Sequence, residues 1–523
     1  MSNIEQKYEK LIVRLPIWLG LALAVGIAMG FLINSHNKNT AKEQSRRFGE
    51  VLSLIENNYV DSVGLDTLTE QSIRKILEKL DPHSAYFPPE DVLMAKSQLE
   101  SDFEGIGVEY IWLKDTVLVT FPIPNSPALQ AGIEAGDKII AINGEKISAF
   151  QQSNALLFKK LRGKKGTNVA LRIWRKGEII EKNVIRDKIH SFSVYGYKVD
   201  KEVGYIKIIR FGEKTDSEFY DVLEKLVRKE AVTKLILDLR DNGGGYMDKA
   251  SKIADEFLSG GELIVYTQGK HSKYDQKYFA TQGGLFEKGK LIVLIDEGSA
   301  SASEILAGAL QDNDRATLVG RRSYGKGLVQ VPFELSDGGE LRLTVSKYYS
   351  PSGRCIQRPY KNTAKYDKYL SERVKNGELL HQDSIHYDKK QAFKTKAGKT
   401  VFGGGGISPD YFVALDSIEL NKQVREIANN DTWQQKSIIY AQTYQKELKK
   451  MGLGSFLEKW EAPISLLSEI SAEVAQNKSL NSYLSAILKP RIAKILWGQE
   501  AFIRAENQQD KAFLKALELM NSD

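Results

Sequence analysis

The chain has 523 residues, of which 42% are hydrophobic, and a formal net charge of +7. This length exceeds what one hydrophobic core serves, so we expect several domains. Charges of both signs are interspersed without a basic block, so we expect no nucleic-acid partner. The single Cys355 excludes an internal disulfide framework. The six histidines lack metal-ligand spacing, so neither a metal nor another cofactor is implied.

An uncharged run from Leu15 to Ile33 dominates the N-terminus. Its length is close to the roughly 20 residues that span a bilayer, so we expect one uncleaved transmembrane anchor. A cleaved signal peptide is the alternative, but the run is long for that role and no convincing A-x-A site follows. Basic residues flank both ends and do not decide the orientation. The pair Gly26 and Gly30 leaves a helix dimer open.

Apolar residues recur at helical spacing from Glu43 to about Gln98, which predicts a small helical region. The proline-containing stretch 81–89 (DPHSAYFPP) interrupts it and predicts an ordered surface turn. We interpret His83 as a turn residue, because it is far in sequence from every candidate nucleophile. Catalysis by His83 is the alternative and would depend on folding.

Short β-type runs separated by glycine turns extend from Phe103 to about Ile185 and predict a β-rich module. The module opens with Gly105-Ile106-Gly107 and continues with SPALQAGI and GDKIIAING, at 126–133 and 136–144. These residues resemble a PDZ domain. The resemblance implies that N–H groups of the first loop receive a peptide's C-terminal carboxylate while the peptide adds as a strand. Plain turn glycines are the alternative for the loop.

Strands alternate with helical stretches from Val203 to about Ser350, which is typical of an α/β layer architecture. The predicted strands are Gly204–Ile209, Lys234–Leu239, Leu291–Ile295 and Leu341–Ser346. Beyond Tyr360 the chain is charged and irregular, passes four glycines at 403–406, and shows helical patterns from Leu415 to Leu519. We predict a helical C-terminal domain, for which no motif indicates a role.

Ser301 follows one of these strands and begins a predicted helix. Free N–H groups and the positive end of the helix dipole at this position would stabilise an oxyanion formed on a carbonyl. The alternative is structural, since Ser301 and Glu304 also fit the S-x-x-E capping box.

Residues 320–326 nearly match a P-loop, G-x-x-x-x-G-K. Gly327 stands where the Mg²⁺-binding Ser or Thr belongs, and a β-type run, Leu328–Leu335, replaces the phosphate-binding helix. We therefore reject nucleotide binding. Two glycines flank Lys326, which allows its backbone to approach another element closely and to deliver its amine to Ser301.

A third segment, LILDLRDNGGG at 235–245, is an apolar strand that ends in a polar turn with three glycines. Such glycines allow backbone N–H groups to point at a substrate. A simple strand-to-helix turn is the alternative.

The three segments, with GYIK at 204–207 and SPSGR at 350–354, resemble the carboxyl-terminal processing peptidases, also called tail-specific proteases. The resemblance implies Ser301 as nucleophile, Lys326 as general base and Gln330 as the residue that orients the lysine. The N–H groups of Ala302 and of the Gly244 region would form the oxyanion hole. Two positions depart from the family: Gly243 stands where many members have proline, and Arg321 where many have an acidic residue.

These roles require a neutral Lys326, whose pKa must fall from about 10.4 toward 7 or 8 at a cost of roughly 4 kcal/mol of desolvation. Burial can supply this, and no histidine is needed. Cys355 is an alternative nucleophile, but no base is evident near it in sequence. Arg162 is interpreted as a solvated turn arginine, with coupling of the PDZ module to the core as the alternative.

We therefore predict an α/β protease core with a mixed, crotonase-like sheet, an inserted β-rich PDZ domain, helical N- and C-terminal regions and one N-terminal transmembrane helix. The expected divisions are 1–37 (cytoplasmic stub and anchor), 38–100 (helical), 101–188 (PDZ), 189–360 (peptidase core), 361–414 (irregular extension) and 415–523 (helical).

The predicted function is a serine endopeptidase that binds substrate C-termini through its PDZ domain and cleaves nearby. The expected partners are proteins or peptides with free, apolar C-termini, and the membrane through Leu15–Ile33. A homo-oligomer and an adaptor are left open. The expected location is a bacterial inner membrane with the catalytic part in the periplasm. The rival functions are a non-catalytic, membrane-tethered PDZ scaffold or chaperone, and a related-fold acyl-transfer enzyme acting on thioesters.

Overall fold

The computed structural model describes residues 16, 18, 20–26, 40–150, 152–360, 366, 368–471 and 477–522. The chain divides into two compact units, residues 1–76 and 77–523. The described helices that begin in the first unit after residue 39 are α1, Thr40–Asn58, and α2, Leu65–Leu77. Among the described residues, no helix is long and apolar enough to cross a membrane, and much of the predicted anchor Leu15–Ile33 lies outside these residues.

The predicted β-rich module is an antiparallel sheet with the strand order β3-β4-β5-β7-β8, on which β6 pairs with β5. Along β7 buried and exposed side chains alternate, because one face of the sheet covers the core of the module. A separate ribbon, β2 paired with β9, leads into and out of the module. The elements are β1 (Ala85–Phe87), α3 (Pro89–Ser97), β2 (Asp102–Gly105), β3 (Val108–Leu113), β4 (Thr116–Pro122), α4 (Pro127–Gln130), β5 (Lys138–Ile142), β6 (Glu145–Lys146), α5 (Asn154–Leu161), β7 (Asn168–Arg175), β8 (Glu178–Ile185) and β9 (Asp187–His190).

The predicted α/β core contains a six-stranded sheet with the order β10-β11-β12-β15-β16-β21. Only the β10–β11 pair of this sheet is antiparallel, so the sheet is mixed, as expected. Its strands β12 and β15 are apolar and buried, as parallel strands covered on both faces must be. A second, antiparallel sheet joins β1, β18, β13 and β14, with β17 on β18.

The elements of this region follow in chain order: β10 (Val194–Lys198), β11 (Val203–Ile208), α6 (Thr215–Glu224), β12 (Lys234–Asp238), α7 (Met247–Asp255), β13 (Leu263–Gly269), β14 (Lys277–Phe279), β15 (Lys290–Ile295), α8 (Ala302–Asp312), β16 (Thr317–Gly320), β17 (Leu328–Glu334), β18 (Glu340–Tyr349), α9 (Tyr369–Lys375), β19 (Ala392–Lys394), β20 (Thr400–Phe402) and β21 (Tyr411–Phe412).

The C-terminal region is helical, as predicted, and has a hydrophobic core of its own around Phe456, Leu484 and Leu488. Its last two helices also cover one face of the six-stranded sheet. The helices are α10 (Lys422–Ala428), α11 (Thr432–Thr443), α12 (Gln445–Met451), α13 (Leu453–Lys459), α14 (Ile464–Ile470), α15 (Lys478–Trp497), α16 (Gln499–Asn507) and α17 (Lys511–Asn521). The six predicted divisions of the chain and the likeness of the core to crotonases stay predictions.

Candidate active site

Ser301 lies at the sharp turn between β15 and α8, at the carboxyl end of a buried parallel strand. Its backbone has φ 55° and ψ −114°, a conformation that residues with a side chain rarely adopt. Strain of this kind persists only where the surroundings enforce it, and it concentrates at functional sites. The turn before it is held by Asp296, whose Oδ1 accepts hydrogen bonds from the N–H groups of Asp241, Gly298 and Ser299.

The buried carboxylate of Glu304 joins the two predicted catalytic residues. One oxygen, Oε2, accepts hydrogen bonds from the N–H of Ser301 and from the N–H of Lys326, each at 2.9 Å. The two nitrogens therefore lie at most twice that distance apart. The other oxygen accepts from Ser323 Oγ at 2.5 Å and from Gly325 N–H at 2.7 Å. Burial raises the pKa of Glu304 to about 7, while these hydrogen bonds act in the opposite direction.

Tyr348 on β18 makes a second bridge between the same two residues. Its hydroxyl lies 2.6 Å from the carbonyl oxygen of Lys326 and 3.2 Å from that of Ser301. The ring is buried, and burial raises the pKa of the hydroxyl well above its usual value, so the hydroxyl stays a hydrogen-bond donor. Glu304 holds the N–H groups of Ser301 and Lys326, and Tyr348 holds their carbonyls.

Lys326 is partly buried and its amine is desolvated, as its predicted role requires. Burial lowers the pKa of its amine below 10.5, and the carboxylates of Glu304 and Asp81 oppose the shift. Burial also lowers the pKa of His83 to about 4, and the charge of Lys326 adds to this effect. The turn that contains Asp81 and His83 is therefore beside the lysine, although more than 200 residues separate them in sequence.

His83 is a neutral side chain rather than a proton carrier at neutral pH. Its Nε2 lies 2.7 Å from the hydroxyl of Tyr366. Asp81 caps the turn by accepting hydrogen bonds from the N–H groups of His83 and Ser84, both at 2.8 Å. The interpretation of His83 as a turn residue fits this geometry, but sequence reasoning missed its place next to Lys326.

Gln330 is near this turn, but its side-chain amide donates a hydrogen bond to a threonine rather than to the lysine. Its Nε2 donates to Thr344 Oγ1 at 3.3 Å. The N–H of Thr344 in turn donates to Ser84 Oγ at 3.1 Å. Orientation of Lys326 by Gln330 therefore stays a prediction.

The glycine turn, residues 241–245, lies against Ser301. A Cβ on Gly244 would come within 2.8 Å of Ser301 Cβ and 2.9 Å of the Ala302 nitrogen, and its φ is +100°, so the position requires glycine. The Gly244 N–H donates to Asn242 Oδ1 at 2.9 Å. Ala302 is the first residue of helix α8. Among the described residues, no backbone acceptor binds its N–H group. Ala302 is therefore better placed than Gly244 to donate to a bound oxyanion.

The Gly403–Gly406 run, to which no role was assigned, packs against the lysine loop. A Cβ on Gly325 would lie 3.1 Å from the Gly406 nitrogen, and one on Gly405 would lie 2.6 Å from an Arg322 nitrogen. Next to the run, Ser323 and Ile407 exchange two hydrogen bonds. The close approach of two backbones explains the glycines on both sides.

The loop Gly105-Ile106-Gly107 lies between β2 and β3 in the β-rich module. Ile106 is buried and Gly107 has φ +80°, where a Cβ would come within 2.3 Å of Ser126. Within the described residues, the N–H groups of Ile106 and Gly107 have no recorded backbone acceptor. The following strand β3 pairs with β4 on one edge, and no described strand pairs with its other edge. This is the geometry that strand addition by a peptide needs.

Arg162, at the end of α5, is not the solvated residue that the sequence suggested, so this interpretation is wrong. Its side chain is only 19% exposed, and its guanidinium lies 3.6 Å from the ring centroid of Phe103 and 4.5 Å from that of Phe158. Burial lowers its pKa to about 10. Its backbone also forms an isolated bridge with Gly105. Arg162 therefore supports the loop from within the module.

Comparisons with known proteins identify the peptidase and PDZ regions of the chain. The model of peptidase family S41 matches residues 202–363, and the PDZ domain model matches residues 95–174. A carboxy-terminal-processing protease of Bartonella bacilliformis is 38% identical over 336 residues, which cover 63% of this chain and 76% of the relative. A probable CtpA-like serine protease of Staphylococcus aureus is 34% identical over 62% of this chain and 64% of its own length.

Among solved structures, a photosystem II D1 C-terminal processing protease aligns over 73% of this chain and 91% of its own, with 24% identity and a TM-score of 0.37. The sequence relationship to the curated relatives confirms the resemblance drawn from the motifs. The chain belongs to the carboxy-terminal-processing proteases, serine-type peptidases of family S41 that carry a PDZ domain.

Proposed function

We propose that this peptidase cuts proteins near their C-terminal ends, with Ser301 as nucleophile and Lys326 as general base. The observation that supports this most directly is the single Glu304 oxygen that binds the N–H groups of both residues. The desolvation of Lys326 supports it further, because a buried amine loses its proton more easily than a solvated one.

In this mechanism the amine of Lys326 takes the hydroxyl proton as Ser301 Oγ attacks the scissile carbonyl carbon. The N–H of Ala302, with one from the glycine turn, stabilises the negative charge that forms on the carbonyl oxygen. The lysine ammonium then gives its proton to the leaving amine, and an acyl-enzyme remains on Ser301. Water, activated by the same amine, releases the acyl group.

The PDZ domain would capture the substrate before cleavage. The loop Gly105-Ile106-Gly107 would receive the terminal carboxylate, and the unpaired edge of β3 would accept the peptide as an added strand. This accounts for the presence of a peptide-binding module in the same chain as the Ser301 site.

We test this with an unfolded protein that carries an apolar C-terminus, incubated with wild type, Ser301→Ala, Lys326→Ala and the control Lys347→Ala, which changes an exposed lysine on β18. Wild type and the control should cleave, and the other two variants should lose roughly 10⁴-fold or more in rate. Amidation of the substrate C-terminus should raise KM. Cleavage by Ser301→Ala at the wild-type rate would contradict the mechanism.

We also infer that Leu15–Ile33 anchors the enzyme in a bacterial inner membrane, with the peptidase on the periplasmic side. The support is the length of the uncharged run. The full chain should stay in the membrane fraction after alkaline carbonate extraction, whereas a chain that starts at residue 38 should not. Release of both chains by carbonate would exclude the anchor.

A further inference from the structure

The strand β3 has two faces with different partners. Val108, Tyr110 and Trp112 pack into the hydrophobic core of the PDZ domain. Ile111 and Leu113 instead join a small cluster with side chains of the C-terminal helices. The strand proposed to accept the peptide is therefore covered from behind by the C-terminal domain, α10–α17.

The contact between the C-terminal domain and the PDZ domain includes polar interactions as well as apolar packing. Glu109 on β3 accepts two hydrogen bonds from the Lys494 amine on α15, at 2.7 and 3.0 Å. The Lys494 side chain is only 10% exposed, whereas the Glu109 side chain is 44% exposed, so the lysine is the covered member of the pair. Ile438 on α11 packs on Leu118 and Ala135, and Gln442 on the same helix donates to the Ala135 carbonyl.

The same domain reaches the glycine turn at its other end. Asp510, between α16 and α17, forms a 2.6 Å ion pair with Arg240. Arg240 is directly before the glycine turn and also binds Asp238 through two nitrogens, at 2.7 and 3.0 Å. Asp510 in addition caps α17 by accepting the N–H of Phe513.

The glycine turn itself then contacts the nucleophile. The N–H of Asp241 donates to Asp296, and the carbonyl of Asn242 accepts hydrogen bonds from the N–H of Ala300 and the hydroxyl of Ser303. A continuous set of packed elements thus connects the back of β3 to the residues on both sides of Ser301.

We propose that the C-terminal domain is a brace that fixes the strand β3 and the glycine turn relative to each other, with Lys494 and Asp510 as its two positioning residues. The proposal rests on the proposed capture of substrate by the PDZ domain. A peptide held on β3 has to lead its upstream part into the Ser301 site. Misplacement by about 1 Å at such a site costs up to about 100-fold in rate, so a rigid connection between the two is an advantage.

The electrostatic surroundings determine which substitutions are informative. Arg491 on α15 also acts on Glu109, so a lysine in place of Glu109 would face two cations. Neutral replacements avoid this repulsion. We therefore choose Glu109→Gln, Lys494→Met and their double variant, with Lys494→Arg as the conservative variant. Lys436→Met is the matched control, because Lys436 pairs with Glu469 at 2.7 Å inside the same domain.

The experiment uses the full chain and two substrates. One is the unfolded protein with an apolar C-terminus, and the other is a small activated ester that acylates Ser301 without the PDZ domain. Lys494→Met and Glu109→Gln should each lower kcat/KM on the protein about tenfold, and the double variant should lose no more than either, because contacting residues are not additive. Acylation by the ester should be unchanged in Lys494→Met, and Lys494→Arg should restore cleavage of the protein.

The other end of the brace has a separate test. Asparagine caps helices as well as aspartate does, so Asp510→Asn keeps the cap on α17 and removes only the charge that Arg240 binds. This variant should slow acylation by the ester about fivefold, as expected for the loss of one charge pair, while peptide binding to the PDZ domain stays at the wild-type level.

Wild-type kcat/KM in Lys494→Met would overturn the brace. So would an equal loss with both substrates that Lys494→Arg does not restore, because that result indicates a general folding defect. The proposed function fails in a different way, through undiminished cleavage by Ser301→Ala.

Discussion

At the scale of single residues, the site depends on an amine kept away from water. A buried lysine is costly to a folded protein, because its charged form loses hydration. Glu304 and Asp81 limit the cost without cancelling it, since the net effect on the Lys326 pKa is still downward. In the proposed mechanism, the enzyme gives up stability for a base that works nearer to neutral pH.

Replacement of Lys326 by methionine should abolish cleavage and stabilise the fold by about 1 kcal/mol at pH 7, because the buried charge is gone. The folded pKa of Lys326 is lower than the unfolded one. The unfolded chain therefore binds the proton up to higher pH, and the wild type recovers stability as the pH rises toward 10.5.

Denaturant unfolding of both proteins between pH 7 and 10 measures this difference, which should shrink as the pH rises. In parallel, wild-type cleavage should increase with pH through the lowered pKa of Lys326. A methionine variant that is less stable than wild type at pH 7 would contradict the argument.

Ser301 and Lys326 could be selected from the sequence because each is in a short segment with its own helix or glycine signal, whereas Ala302 was implied only by the family resemblance. Glu304 was predicted only as a capping residue, since its contacts with Gly325 and Lys326 come from a loop about 20 residues away. Asp81, His83 and Tyr348 were missed as neighbours of the site for the same reason. These residues come close to Lys326 only through tertiary folding, and no local sequence pattern predicts this proximity.

At the scale of elements, the site is a strand, a strained turn and a helix packed against a second turn made of glycines. The observed β11, β12, β15 and β18 overlap the four predicted strands, with ends that differ by at most three residues. What the sequence could not indicate is the second sheet, in which β1 pairs with β18 across about 250 residues. Pairing at that separation depends on the whole chain.

Gly244→Ala tests the contact between the two turns. The added methyl would meet the Ala300 carbonyl oxygen at 2.7 Å and Ser301 Cβ at 2.8 Å, and the backbone has a φ that alanine disfavours. We expect a loss of about 2 to 3 kcal/mol in unfolding free energy and of at least 100-fold in kcat.

Gly243→Ala is the matched control, because a Cβ there meets nothing within 4 Å and its φ is not in the left-handed region. Thermal unfolding and peptide cleavage of the two variants give the comparison. Similar activity in both variants would show that the close approach at Gly244 does not matter.

At the scale of the whole molecule, the C-terminal helices complete the peptidase. Phe513 of α17 packs edge-on against Tyr205 of the six-stranded sheet, with ring centroids 5.5 Å apart, and Ala516 and Met520 are buried in the same cluster. The helical periodicity of this region could be predicted from the sequence. The surface that the helices cover could not be predicted, because an amphipathic pattern shows that one face of a helix is buried but does not identify the element that buries it.

Phe513→Ala should therefore lower the unfolding free energy by about 3 to 5 kcal/mol, the usual cost of a buried phenylalanine. Leu514→Ala removes an aliphatic side chain that is 46% exposed on the same helix and should change stability by well under half of that. Chemical denaturation followed by fluorescence measures the unfolding free energy of both variants. Equal effects would mean that α17 does not cover the sheet.

The packing of Gly403–Gly406 on the lysine loop has a consequence for biosynthesis. Strand β21 joins the edge of the sheet beside β16, and Ile407 holds Ser323 in place, some 80 residues after that serine has been made. Because domains fold as they emerge from the ribosome, a nascent chain that ends before this segment cannot yet shape the loop around Lys326. We therefore expect the proposed active site to be completed only after translation has passed this segment.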